Sequence, residues 1–360
     1  MAESVLEADV AILADSPELA AFDGSIILIT GSTGLIGSLF VKGLLARNDA
    51  HDARIRVLAL ARSEQKARKV FGNRMDRDDL RVVIGDTCAL PPIDENIDWI
   101  SHGASITSSA RFAKEPVQVA WTELDGMRAL LELAREKNVR GMVYLSSLEV
   151  YGDVPEEHGV VHEDYCGPLD RFVPRNSYPV AKRMCENLCV AYASEYEVPV
   201  KIVRLAQTFG AGVDPADGRV FAYLARCAVN GENIILRTTA QGCRCYCYTT
   251  DAVRGIATVL AKGQMANAYN ISNPRTYCSV RDMAAMIARE FGEGKVEVVF
   301  DIPADTSSYG FAAPSFVKLG SEKAEALGWT PQFDLRDMYV RLIESISPAE
   351  EAASAAEGAR

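Results

Sequence analysis

The 360 residues are 48% hydrophobic and 24% charged, the balance of a globular protein long enough for two domains or one large α/β unit. Forty-nine acidic residues against 38 basic ones leave a net charge of −11, which argues against nucleic acid as a partner because phosphate binding needs a basic footprint. No apolar run approaches the ~20 residues that span a bilayer, so no membrane partner is expected.

The first residues, Met1-Ala2-Glu3-Ser4-Val5-Leu6-Glu7, are acidic where a secretory leader is basic. Nine cysteines, an odd number, read as reduced thiols, and the expected compartment is cytoplasmic. Residues 2–22 predict a short acidic helix with Val5, Leu6, Val10 and Leu13 on one side, an extension (residues 1–22) packed on the main body.

Ser25–Thr30 is a continuous apolar run, as in a buried parallel strand, and a helix is predicted over Leu35–Arg47. Between them lies Gly31-Ser32-Thr33-Gly34-Leu35-Ile36-Gly37. Three glycines in seven residues are a weak signal alone. Placed between strand and uncharged helix start, they predict a dinucleotide site. Gly31 permits the tight turn, Gly34 lets backbone approach a pyrophosphate, and Gly37 allows close packing, while the helix end offers free N–H groups. Gly31, Thr33, Gly34, Leu35, Ile36 and Gly37 are the candidate phosphate contacts.

Strand-like runs recur at Ile55–Leu60, Arg81–Ile84, Trp99–Ser101, Gly141–Leu145 and Val200–Arg204. Helical stretches lie at Trp121–Lys137 and Tyr178–Tyr196. The alternation predicts a Rossmann-type, doubly wound parallel sheet over residues 23–211. The second strand ends without the acid that holds adenine ribose hydroxyls; Arg62 stands there instead. It can pair with a 2′-phosphate, stack on adenine, or simply be solvated, so the cofactor is NAD or NADP. Asp86, followed by Thr87, suits an adenine-edge contact.

Ser147 ends the strand that begins at Gly141, where open α/β sheets place ligands. Tyr178 and Lys182 lie one helical turn apart on one face. An ammonium beside a phenol favours phenolate, so Tyr178 can take a proton from an alcohol as hydride leaves. Glu149 is either a second acid/base or a structural hydrogen-bond acceptor.

After residue 212 the rhythm breaks into a smaller, partly interleaved cap over 212–347, and residues 348–360 form an Ala/Glu-rich flexible tail. Within the cap Cys243, Cys245 and Cys247 alternate on a strand and share a face. No His or fourth Cys follows at a ligand spacing, so small core side chains are expected there and no metal.

These residues resemble the NAD-dependent epimerase/dehydratase branch of the extended short-chain dehydrogenase/reductase superfamily, in family order over residues 25–335. Within that branch the chain is similar to UDP-glucuronate decarboxylases and dTDP-glucose 4,6-dehydratase-like enzymes, through Ser147–Asp153, Pro174–Tyr178 and Asp217–Val220. The resemblance implies a catalytic set of Ser147, Tyr178 and Lys182 with Glu149 as acid/base, cofactor contacts at Gly103, Ala104 and Ser105, and a homodimer through the two long helices. It implies a nucleotide-sugar substrate held by Arg175, Gln207, Arg219 and Arg244, guanidinium being suited to a diphosphate.

Three departures stand out. Leu148 replaces the acid that protonates the leaving hydroxyl in sugar dehydratases, Glu123-Leu124-Asp125-Gly126 replaces Asn-x-x-Gly, and Gln207 replaces an Asn near the nucleotide. Three functions are compatible with the motifs. They are a redox-neutral decarboxylase or epimerase that oxidises a sugar C4 hydroxyl, a net NADP-dependent reductase, and a dinucleotide sensor without activity. The intact Ser147, Tyr178 and Lys182 set disfavours the last.

Overall fold

A computed structural model describes residues 4–214, 216–303 and 315–346. In chain order the first strands are β1 (Ile26–Thr30), β2 (Arg56–Ala61), β3 (Leu80–Ile84), β4 (Trp99–His102), β5 (Gly141–Ser147), β6 (Val160–Val161) and β7 (Val200–Leu205). There follow β8 (Gln207–Phe209), β9 (Ile234–Leu236), β10 (Cys243–Tyr248), β11 (Ala268–Ile271), β12 (Asn273–Ser279), β13 (Val298–Phe300) and β14 (Phe316–Leu319). The helices are α1 (Val5–Ala14), α2 (Leu35–His51), α3 (Glu64–Phe71), α4 (Ser109–Lys114), α5 (Pro116–Lys137) and α6 (Ser177–Tyr196). The rest are α7 (Val220–Asn230), α8 (Thr249–Lys262), α9 (Val280–Phe291), α10 (Glu322–Glu325) and α11 (Leu335–Ile346).

Seven strands pair in the order β11-β7-β5-β4-β1-β2-β3, and every neighbouring pair is parallel. Both faces are covered, which explains why β1 reads as an unbroken apolar run rather than an alternation. Ile27 and Ile29 pack with Leu44 of α2 and Ile256 of α8; Leu28 packs on the other face with Met127 of α5 and Cys185 of α6. The chain runs outward from β1 through β2 to β3, then returns to β4 on the other side of β1. Strand order therefore reverses between β1 and β4, and a crevice opens beyond their carboxyl ends, where this architecture binds ligands.

The N-terminal helix is shorter than residues 2–22 predict. Ser4 caps α1 by accepting the Glu7 N–H at 3.3 Å, and the helix stops at Ala14 before Pro17, which cannot continue one. A single 3-10 turn then spans Leu19–Phe22. Helix α5 begins at Pro116 rather than Trp121; proline at the first helical position costs no hydrogen bond, because that N–H has no partner within the helix.

Beyond residue 212 the chain divides its contributions. Phe221 and Leu224 of α7, Met283 and Ile287 of α9, and Tyr339 and Leu342 of α11 form a separate core. In contrast, α8 and β11 return to the large sheet, β11 pairing with β7 from Ala268 to Ile271. A smaller sheet, β12-β10-β14-β6 with β8 on β10, bridges the two parts. Among the described residues no helix is long and apolar enough to cross a membrane. The tail expected over 348–360 lies outside the described residues.

Candidate active site

The glycine turn closes tightly on the end of β4. Gly31 has φ +68°, and a Cβ there would stand 2.7 Å from the Gly103 carbonyl carbon, so only glycine fits. A Cβ on Gly37 would collide with the Gly31 carbonyl oxygen. Gly34 is the N-cap of α2 and brings no side-chain capping bond, so the first-turn N–H groups stay open to an anion. Thr33, Leu35 and Ile36 are half-buried around them. The Ser32 hydroxyl, fully buried, donates to the Leu60 carbonyl at 2.8 Å and ties the turn to β2. Thr30 does the same toward β4: its hydroxyl accepts the N–H groups of Gly103 and Ala104, each at 3.2 Å. A loop shaped this way, with a bare helix N-terminus behind it, fits a dinucleotide pyrophosphate.

Arg62 follows β2, is exposed, and has no hydrogen-bond or ion-pair partner among the described residues. The Asp86 carboxylate accepts the Cys88 N–H at 2.9 Å, so its own loop uses one oxygen. Thr87 is buried beside Gly126 of α5, where a Cβ would lie 3.0 Å from its hydroxyl.

The candidate proton-transfer residues lie at the end of β5. A Cβ on Gly103 would meet the Leu145 side chain at 2.8 Å, and the Leu145 carbonyl accepts the Lys182 ammonium at 2.8 Å. The glycine turn, the β4 loop and the Lys182 pocket are thus contiguous. Tyr178, one turn before Lys182 on α6, stacks on Phe112 of α4 with ring centroids 4.1 Å apart, and the ammonium lies 5.7 Å from its ring centre. Burial raises the Tyr178 hydroxyl above the usual phenol range, offset in part by Lys182 and by a hydrogen bond with Ser147, and reinforced by Glu123 and Glu149.

Glu123 is the surprise of this pocket. Its carboxylate, fully buried, lies 3.0 Å from the Lys182 ammonium, accepts the Tyr144 hydroxyl at 3.1 Å, and accepts the Ser105 hydroxyl. Ser105, expected at the cofactor, therefore spends its hydroxyl on Glu123. Burial, the largest influence, works against the ammonium, yet the charge and hydrogen bond of Glu123 together with Tyr178 and Cys185 offset it, and Lys182 is held above the ordinary lysine range. The signal for Glu123 was its place in a family motif that normally reads Asn. Nothing in the sequence marked Tyr144 or Phe112 as neighbours of the pair. His102 also lay unread: its Nδ1 is 2.8 Å from the Thr30 hydroxyl, and burial with the nearby Lys182 charge holds it neutral, its pKa down to about 3.

Glu149 and Arg175, expected in separate roles, meet each other. Both guanidinium nitrogens of Arg175 reach the Glu149 carboxylate, at 2.9 and 3.1 Å. Arg219 is likewise engaged, by Asp217 at 2.6 Å. Arg244 differs: it donates to the Ser315 hydroxyl at 3.1 Å and pairs with no carboxylate among the described residues. Gln207 on β8 is half-buried opposite Tyr246 of β10, two residues along from Arg244. Cys245 and Cys247 are buried and Cys243 is half-buried, all three thiols free. Leu148 packs into the core.

The family model of the NAD dependent epimerase/dehydratase family matches residues 27–272, most of the chain and all but the first residue of the large sheet. The chain belongs to this family. Membership makes it an enzyme of an NAD-dependent class, and the resemblance read from the glycine turn and the Tyr178/Lys182 pair holds. This epimerase/dehydratase-family member is 28% identical over 320 residues to UDP-glucuronic acid decarboxylase 1 of Xenopus tropicalis, covering 89% of the chain and 71% of that relative. It is 28% identical over 317 residues to UDP-glucuronic acid decarboxylase 6 of Arabidopsis thaliana, covering 86% and 85%. Among solved structures it is similar to a dTDP-glucose 4,6-dehydratase from Streptomyces venezuelae with NAD bound, at 25% identity and TM-score 0.71 over 89% of the chain and 96% of that structure. A UDP-glucuronic acid 4-epimerase from Bacillus cereus, in complex with UDP-glucuronic acid and NAD, shares the fold with TM-score 0.73 at 21% identity, covering 89% of the chain and 98% of that structure.

Proposed function

We propose that this family member modifies a nucleotide sugar by oxidising its C4 hydroxyl, and works as a decarboxylase or an epimerase. The observation that carries the reading is the gathering of Ser147, Tyr178 and Lys182 at the end of β5, contiguous with the glycine turn through Gly103 and Leu145. The names of the curated relatives support a hexuronic acid as the sugar.

A nicotinamide dinucleotide held at Gly31–Gly37 supplies the hydride acceptor and, in the closing step, the donor. As phenolate, Tyr178 takes the C4 hydroxyl proton while Ser147 hydrogen-bonds the same oxygen, and Lys182 keeps its position as a fixed ammonium. A C4 ketone makes a C5 carboxylate a β-keto acid, which loses CO₂, and equally acidifies the C5 proton. Glu149 is the nearest candidate to hold or exchange that proton. Arg244 is free to take the diphosphate, and Arg175 can serve the substrate only by leaving Glu149. Leu148 has no proton to give, which disfavours dehydration.

Mass spectrometry of the dinucleotide retained on purification, with product analysis from UDP-glucuronic acid and related nucleotide sugars, tests the reading. Retained NAD with CO₂ release or an epimerised product is expected. Tyr178→Phe should abolish turnover while leaving dinucleotide affinity within a factor of about three; a fully active variant sinks the mechanism.

One observation favours a second reading. The unpartnered Arg62, in place of an acid, suits a 2′-phosphate and hence a net NADP-dependent reductase on a carbonyl. Arg62→Ala should then weaken NADP roughly tenfold or more, as expected for a charge-assisted contact, with little effect on NAD. Equal losses would remove this alternative.

The outer faces of α5 and α6 support a homodimer: Val117, Trp121, Val180 and Met184 are 68%, 56%, 40% and 45% exposed there. The nine free thiols suit a reducing, cytoplasmic compartment.

A further inference from the structure

The buried cluster on Lys182 has more partners than the proposed reaction uses. Lys182 and Glu123 are 2% and 1% exposed, at 3.0 Å. The Leu145 carbonyl takes a second ammonium proton at 2.8 Å. Glu123 is itself held from three directions: by the Tyr144 hydroxyl from β5, the Ser105 hydroxyl from the loop after β4, and α5, whose Glu123 carbonyl accepts the Cys185 thiol of α6 at 3.5 Å. A lysine positioned by Leu145 alone would present its full charge to Tyr178. Here a carboxylate stands beside it.

We propose that Glu123 is a positioning residue for the proton-transfer pair, a fixed counter-charge that holds the Lys182 ammonium in place and offsets the positive charge it presents to the Tyr178 hydroxyl. The proposal rests on reading Tyr178 and Lys182 as that pair. An amide at position 123 can accept from Lys182 and Tyr144 at its carbonyl oxygen and donate to the Ser105 hydroxyl through its NH₂, without the charge, so the carboxylate changes electrostatics more than geometry.

The charged and titratable groups facing the pair are few. Glu123 comes from α5, Tyr144 and Ser147 from β5, His102 from β4, Cys185 from α6, and Glu149, bound to Arg175, from the turn after β5. His102 is held neutral, and Glu149 is matched by Arg175. Glu123 is therefore the charge that distinguishes the Lys182 side of the pocket. Both protons of the pair are held more tightly because of it: burial raises Tyr178 and Glu123 adds to this, while Lys182 is raised against its burial. The consequence is directional. At neutral pH Tyr178 is kept as a phenol, with a proton to give to the oxygen of a carbonyl undergoing reduction, which leaves Tyr178 as phenolate. Taking a proton from an alcohol is favoured only as pH rises.

The test is NMR titration of protein carrying ¹³C at Tyr Cζ and Lys Cε, with signals assigned through Tyr178→Phe and Lys182→Met. Removing a negative charge beside two protonated groups eases loss of the first proton, whichever of the two gives it up. In Glu123→Gln the pair should lose its first proton roughly one pH unit or more below wild type, while Glu123→Asp keeps it near the wild-type value. An unchanged or higher value in Glu123→Gln overturns the proposal. Should that variant not fold, Lys182→Met is compared with Lys182→Met/Glu123→Gln: Tyr178 should ionise at lower pH in the double variant, and equal values overturn the proposal. This readout needs no substrate. A shift in the titration together with no turnover on any nucleotide sugar would count against the proposed reaction and leave the role of Glu123 standing.

Discussion

At the scale of single residues, Lys182 is a position where a change is costly, because its partner is buried with it. Taking the ammonium away leaves the Glu123 carboxylate fully buried with only hydroxyl donors, and breaking a buried ion pair from one side costs about 3–5 kcal/mol. Lys182→Met should lower the unfolding free energy measured in urea by that order, and adding Glu123→Gln should recover a large part of it. Loss without recovery in the double variant would mean that the pair is not coupled. For catalysis, the raised Tyr178 hydroxyl sets a pH dependence with a definite sign: oxidation of the substrate alcohol, which needs the hydroxyl to accept a proton, should climb into the alkaline range. Reduction, which needs the phenol, should hold level and then fall over that range. Single-turnover rates in both directions across pH check this.

Sequence made some of this pocket legible and not the rest. Tyr178, Lys182 and the glycine turn are read from spacing, because helix periodicity and backbone sterics fix what sits beside what. Glu123 was visible only as the wrong residue in a motif. That it reaches Lys182 depends on α5 and α6 packing side by side, a contact between positions 59 apart in the chain. The pairing of Arg175 with Glu149 was hidden for the same reason: each reads as a free functional group until folding brings them within hydrogen-bonding reach.

At the scale of elements, α8 is anchored through its first turn. Asp251 there is fully buried, accepts the N–H groups of Gln332 at 2.9 Å and Phe333 at 3.1 Å, and meets Arg254 at 3.3 Å. Burial wins over these donors and pushes its carboxyl up to about 6. A folded-state value above the unfolded 3.8 means that the fold prefers the protonated form, so the stability from this group is full below about pH 4 and is lost as pH rises through about 6. The span corresponds to roughly 3 kcal/mol at most. Asp251→Asn, which stays neutral, should flatten the pH dependence of the unfolding free energy between pH 4 and 6. An identical slope in both proteins would contradict this. The elements themselves were legible where one period ran long, as in α5, α6 and the β1 run. The return of α8 and β11 to the large sheet was not, because a strand's partner is set by topology rather than by its own four residues.

At the scale of the whole molecule, exposed apolar side chains gather on α5 and α6, the same two helices that carry Glu123, Tyr178 and Lys182 on their inner faces. Trp121→Glu should convert a proposed dimer into a monomer by sedimentation velocity; a variant and wild type of equal mass would end that reading. If assembly steadies these helices, the monomer should also show weaker turnover through loss of positioning.

The seam that closes the molecule lies elsewhere. Asp9 of α1 is buried against the Tyr248 hydroxyl at 2.6 Å and Arg341 of α11 at 3.0 Å, a partner 332 positions later. A ribosome adding about 5–20 residues per second takes on the order of 20–60 seconds to travel that distance. The large sheet is fully synthesised well before then, but α1 has to wait, its carboxylate in water, for α11 to emerge. A helix made early is thus locked late, and a nascent chain released before α11 would carry a formed crevice with a loose front edge.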